Sequence, residues 1–226
     1  MPSRWNELTV QQFLFILSRD AWLKSEDIIV RVFLGIKRSL IRRMDDYQKY
    51  CIVQQMQALN SSTFCDRFIL DRLGRLKGPK PRLKGVTFGQ FIFADSYFES
   101  YCNGKQEDLD RFIACYYLDG EFNDDDIDVR ADYIKRFSRE ERIAIFQNYA
   151  LIREWLAKSY SNVFQKADSK KKKPTQKSGG WVRVFDIMCG DSPEKYKDLE
   201  AMPLSQALRF LNNRIKEYQK HGSRIR

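Results

Sequence analysis

Residues 138–156, SREERIAIFQNYALIREWL, decide how the chain is read. Ser138-Arg139-Glu140-Glu141 has the S-x-x-E form, in which a serine hydroxyl and a glutamate carboxylate each accept a backbone N–H at a helix start. Ile143, Ile145, Phe146, Tyr149, Ala150, Leu151, Ile152, Trp155 and Leu156 follow, apolar on nearly every side of a helix. Such a helix belongs in the middle of a bundle. The expected fold is mainly α: a helical bundle body with at most a small β-hairpin, and a short C-terminal helical pair after a basic linker.

Upstream, helical spacing recurs. Thr9 is placed to cap a helix whose face is Val10, Phe13, Leu14, Leu17 and Ala21. Ser25 offers a cap to a second, carrying Ile29, Val32, Phe33 and Ile36, and a third over residues 44–59 presents Ile52, Met56 and Leu59. Residues 60–84 differ, being broken by Gly74, Gly78, Pro79 and Pro81 and loaded with Arg and Lys. One hairpin is expected there, with the basic residues on a solvated loop. Thr87-Phe88-Gly89-Gln90 is another capping box, opening an aromatic helix through Phe91, Phe93, Tyr97, Phe98 and Tyr101. After the Asn103-Gly104 turn, Leu109, Phe112, Ile113, Tyr116 and Tyr117 share a face.

The acidic run 119–128 invites a calcium reading. Counted from Asp124, the obligatory glycine position of a twelve-residue loop holds Val129 and the final glutamate position holds Lys135. An acidic turn before a helix is the expectation, with no metal and no cofactor.

Residues 165–180, QKADSKKKKPTQKSGG, contain no large apolar side chain. They divide the chain into a helical body (1–164), a Lys-rich flexible linker (165–180) and a C-terminal helical appendage (181–226). In the appendage Trp181, Val184, Phe185 and Met188 form one stripe. Pro203 starts another helix with Leu204, Ala207, Leu208, Leu211, Ile215 and Tyr218. Trp181, Phe185, Met188, Leu208, Leu211 and Ile215 are the candidate surface for a protein partner, with packing on the body as the competing use of the same faces.

Charge is uneven. Residues 166–226 hold 15 of the 40 Lys and Arg but 7 of the 30 Asp and Glu, so about +8 of the net +10 lies there. Lys170, Lys171, Lys172, Lys173, Lys177, Arg209, Arg214, Lys216 and Lys220 form the candidate basic patch for phosphates. The five cysteines lack a CxxC pair and sit beside apolar residues, so reduced thiols are expected. No apolar run approaches the ~20 residues of a membrane span, and the first residues lack the apolar core of a signal peptide, so a cytoplasmic protein without a membrane partner is expected. The single histidine, His221, leaves serine or cysteine nucleophiles without a central base, and no glycine-rich phosphate loop is present. The chain reads as a non-enzyme.

Trp5-Asn6-Glu7-Leu8-Thr9, Thr87-Phe88-Gly89-Gln90-Phe91 with Ala94-Asp95, Arg111-Phe112-Ile113-Ala114 with Tyr116-Tyr117, and Trp181 after a charged linker carry a resemblance. In these the chain resembles tail-module proteins of phages and prophages of Bacteroidota, of the tail assembly chaperone kind. That resemblance implies an assembly factor that coats the tape-measure protein and helps tail-tube subunits polymerise around it. It also implies that the extension can arise by ribosomal frameshifting, for which the codons of Lys170 to Lys173 are the candidate slippery run. Two alternatives stand beside it: a nucleic-acid-binding accessory protein, and a structural virion component of the tail or head-tail connector.

Overall fold

A computed structural model describes residues 4–17, 24–59, 65–164, 180–189 and 193–222, together with Pro2. The fold is mainly α with one two-stranded hairpin. It comprises two compact units, Met1–Asp71 with Phe137–Trp155, and Arg72–Arg136 with Leu156–Arg226. Residues 1–164 thus contribute to both, and the described C-terminal helices belong to the second. The expected linker lies outside the described residues except for Gly180.

In the first unit, a 3-10 turn at Trp5–Glu7 precedes α1 (Val10–Leu17), α2 (Glu26–Leu34), the short α3 (Arg38–Ile41) and α4 (Asp46–Leu59). Thr9 Oγ1 accepts from Gln12 N at 3.2 Å, while the Gln12 side chain accepts from Thr9 N at 2.8 Å, a reciprocal cap. The expected face of α1 is rotated. Phe13 and Ile16 are buried while Val10 is exposed, and Gln12 joins the interior because its amide donates to Phe33 O at 2.9 Å. In α2 the interior takes Ile29, Val30 and Phe33, so Val30 rather than Val32 completes the stripe. Gly35 ends it at φ 62°, the left-handed cap that glycine adopts without strain. Val30, Ile41 and Ile52 form one core cluster, and Met56 and Leu59 have side chains outside the description.

The helix that opened the sequence reading is α8 (Arg139–Ser159), and its capping box forms: Glu141 N donates to Ser138 Oγ at 3.2 Å, and Ser138 N to Glu141 Oε2 at 3.1 Å. Burial is more one-sided than expected. Ala144, Ile145, Asn148, Tyr149, Ile152 and Leu156 are buried, with Phe146, Leu151 and Trp155 half-exposed on the flanks. Asn148 sits among apolar groups with its polar atoms used: its Oδ1 accepts from Ile69 N at 2.7 Å, and its Nδ2 donates to Arg67 O at 3.1 Å and faces Cys65 Sγ at 3.2 Å. Beside it Phe68 stacks on Tyr149, with centroids 6.3 Å apart.

The second unit begins with the hairpin β1 (Arg72–Leu73) and β2 (Leu76–Lys77), turning at Gly74. A loop leads to α5 (Phe88–Cys102), capped as expected by the Thr87–Gln90 box. Then come α6 (Asp108–Tyr116), a 3-10 turn at Asp124–Asp126, and α7 (Ile127–Ile134). The expected aromatic centre is here, since Phe88, Phe91 and Phe98 of α5 are buried, and so are Phe112 and Tyr116 of α6. Gln90 ties the two helices by donating to Cys115 O at 2.6 Å. Three C-terminal helices complete the unit: α9 (Gly180–Cys189), α10 (Pro193–Ala201) and α11 (Leu204–Gly222), where a pair was expected. All three pack on α5.

Candidate functional site

The six residues expected to face a protein partner lie on α9 and α11, both of which pack on α5. Leu208 is wholly buried and Leu211 nearly so, while Trp181, Phe185, Met188 and Ile215 are half-buried. The cause is α5, whose aromatic side supplies the complementary surface. The Trp181 ring meets Phe91 edge-on at 5.0 Å and Phe88 at 6.1 Å, and Phe185 tilts against Phe88 at 6.1 Å. Backbone pairing locks the junction between α10 and α11 to the start of α5: Phe88 N donates to Met202 O at 2.8 Å, and Leu204 N to Val86 O at 3.0 Å. Phe164, the last described residue before the break, meets Trp181 at 5.4 Å.

Among the expected phosphate-binding residues, Lys170 to Lys173 and Lys177 lie outside the described residues. Arg209, Arg214 and Lys216 are exposed on α11. Arg209 and Lys216 stand seven apart and share a face, with Lys220 in the same register. Arg214 leans over Phe210 at 5.9 Å and points elsewhere. The basic patch is thus two residues wide where its side chains are described.

Exposed apolar residues stand on other helices as well. In the first unit Tyr47 is 75% and Tyr50 52% exposed, three apart on α4, with Leu40 of α3 at 48%. Their neighbour Lys49 pairs with Asp27 at 2.8 Å, and that partner raises the lysine pKa. Sequence periodicity missed the tyrosines because they lie opposite the core stripe of Ile52. Their type, aromatic with a polar tip, was the available signal.

The second unit also holds a cleft that sequence reasoning did not anticipate. Lys77 pairs with Leu118 through Lys77 N to Leu118 O at 2.8 Å and Leu118 N to Lys77 O at 3.0 Å, bringing the hairpin against the strand-like residues after α6. On one side is a cavity of about 340 Å³ bordered by Lys77, Lys80 and Lys84. Adjoining it is a second of about 560 Å³ bordered by Glu121, Asp124, Lys197 and Glu200. Gly85 borders both at φ 90°, a conformation suited to glycine. The loop between Lys80 and Lys84 carries two consecutive left-handed non-glycine residues, Arg82 at φ 61° and Leu83 at φ 53°. Each such residue costs ~1–3 kcal/mol, so the surrounding contacts must hold the loop in shape.

The acidic run takes the expected turn form. Asn123 caps it by accepting from Asp125 N at 3.3 Å, and Asp126 pairs with Arg130 at 3.6 Å. Among the described residues no cluster of His, Cys, Asp or Glu has the arrangement of a metal site, and no helix is long and apolar enough to cross a membrane. Burial pushes the thiols of Cys65 and Cys115 up from their ordinary range. Comparison with family models, with curated proteins and with solved structures found no match to this chain.

Proposed function

We propose that this chain is a non-enzymatic, chaperone-like assembly factor of a phage or prophage tail. It works in the host cytoplasm by covering an apolar helix of the tape-measure protein or of a tail-tube subunit. The observation that carries this reading is the exposed Tyr47 and Tyr50 pair on α4. Tyrosine supplies contact area at low entropic cost and is enriched at protein interfaces. With the C-terminal stripe occupied by α5, this face is the better candidate for the partner, and the resemblance supplies the partner's class.

A second reading is favoured by a specific feature, the exposed Arg209 and Lys216 on one face of α11 after a lysine-rich segment. On that reading the chain is a nucleic-acid-binding accessory protein.

Pull-down of the tagged full chain from the producing host, with nuclease treatment, separates them. Recovery of a long helical tail protein after nuclease, lost in Tyr47→Ser/Tyr50→Ser, supports the assembly factor. Recovery only without nuclease, falling steeply with salt, supports the second reading. Presence of the chain in purified virions would make it a structural component instead.

A further inference from the structure

We propose that the lysine-bordered cleft of the second unit binds a compact phosphorylated molecule, its phosphate held by Lys77, Lys80 and Lys84. Lys80 and Lys84 are direct partners in an antiparallel bridge. Like charges placed opposite each other in such a pair repel, so the arrangement calls for a counter-charge. Lys77 is the third lysine lining the same cavity. None of the three has an ion-pair partner among the described residues, whereas the nearby carboxylate, Asp119, is engaged by Arg75 at 3.4 Å. The backbone is bent through left-handed Arg82 and Leu83 where Lys80 comes opposite Lys84, so the pairing of the two lysine positions is built into the loop. An oxyanion seated there would neutralise them through charge-assisted hydrogen bonds.

The rest of the cleft narrows the ligand class. The cavity of about 340 Å³ falls within the size range of small-molecule sites. Its neighbour is bordered by Glu121, Asp124 and Glu200 against one lysine, Lys197. Those carboxylates accept hydrogen bonds from hydroxyl or amino groups and repel further phosphates. A long phosphodiester backbone therefore fits poorly, whereas a molecule with one anionic end and one donor-rich end, such as a sugar monophosphate, fits both halves. Gly85, which borders both cavities, has open space where a side chain would stand.

The test is calorimetric titration and thermal shift of the full chain with inorganic phosphate, glucose 6-phosphate, glucose and a single-stranded oligonucleotide at low salt. Saturable binding of glucose 6-phosphate, several-fold tighter than inorganic phosphate and absent for glucose, is expected. Lys80→Glu/Lys84→Glu should weaken it by more than about tenfold, or about 1.4 kcal/mol. The milder Lys84→Gln should weaken it in part, and the charge-matched Lys105→Glu/Arg139→Glu should leave it unchanged. Circular dichroism of each variant checks folding, and Lys84→Gln is decisive if the double variant unfolds. The proposal is overturned by no saturable binding in the millimolar range, by equal weakening in the charge-matched control, or by oligonucleotide binding that glucose 6-phosphate does not displace.

Discussion

Trp181 donates its indole N–H to Asp95 Oδ2 at 2.8 Å, and Asp95 is fully buried in α5. The contact fixes the rotation of α9, because an indole between Phe88, Phe91 and Phe164 has one polar edge to place. Trp181→Phe keeps an aromatic ring but removes the donor from a buried carboxyl oxygen. Such a loss costs ~1–3 kcal/mol. Urea unfolding should show a lower midpoint with little change in slope, and a midpoint within error of the parent would mean that α9 does not depend on this hydrogen bond.

Gly89, in the first turn of α5, faces Glu200 of α10, and a Cβ added there would overlap Glu200 Cγ and come within 3.3 Å of Glu200 Cβ. Alanine in a helix interior normally gains ~0.5–1 kcal/mol over glycine. Overpacking costs ~1–3 kcal/mol and should outweigh that gain. Gly89→Ala is therefore expected to destabilise. Adding Glu200→Ala, which removes the Cγ, should restore stability to the parent level or above. A double variant no better than Gly89→Ala would locate the cost elsewhere.

Local signals made much of this fold readable, and non-local ones hid the remainder. The Thr87–Gln90 and Ser138–Glu141 boxes are four-residue patterns whose hydrogen bonds close within one turn, and both formed. The hairpin followed from the glycine and proline breaks, and it turns at Gly74 between Leu73 and Leu76. The face of α1 did not follow, because Gln12 is inside only by virtue of a carbonyl on α2. Helix α10 escaped notice since Leu199 is its sole buried residue among those whose side chains are described, although Pro193 at its first position was a usable start signal. The cleft was out of reach: residues near 80, 120 and 200 meet only through pairings such as Lys77 with Leu118 and Thr87 with Pro203.

Alkaline pH should weaken the protein through its buried thiols. Burial raises the pKa of Cys115, and that of Cys65, above the ordinary value of 9.0. The folded chain thus keeps protons that the unfolded chain releases as pH passes about 9. Stability from this source is complete below that pH and declines above it. The fall in thermal midpoint between pH 8.5 and 10 should be shallower in Cys65→Ala/Cys115→Ala than in the parent, whatever the cost of the substitutions at neutral pH. Parallel curves would exclude the thiols as the cause.

The same burial predicts selective alkylation, since the thiolate is the reactive form. Cys102 is exposed and Cys51 half-buried, while Cys65, Cys115 and Cys189 are buried. Iodoacetamide at neutral pH should modify Cys102 first, and the three buried residues only after denaturation. Early modification of Cys115, read by peptide mass spectrometry, would contradict its place beneath Gln90.

Arg130 holds the wall of the cleft. Its Nε donates to Ala114 O at 3.1 Å and its Nη2 to Asn123 O at 2.7 Å, while the guanidinium lies 6.0 Å from the Phe122 ring centroid. One planar group thus joins the end of α6, the acidic turn and α7. Lysine cannot reproduce this, because a single ammonium lacks the fork that reaches two carbonyls at once. Arg130→Lys and Arg130→Leu should each destabilise, the leucine variant by about 2–4 kcal/mol because the buried Ala114 carbonyl loses this donor and the acidic turn loses its tie to α7. Hydrogen exchange followed by mass spectrometry should show faster exchange over residues 121–126 in both variants, with residues 139–155 unchanged. Glucose 6-phosphate should then bind more weakly to both while inorganic phosphate keeps its affinity, since the lysine-bordered half stands apart from the wall that Arg130 secures. Equal losses for the two ligands would show that the two halves of the cleft move together.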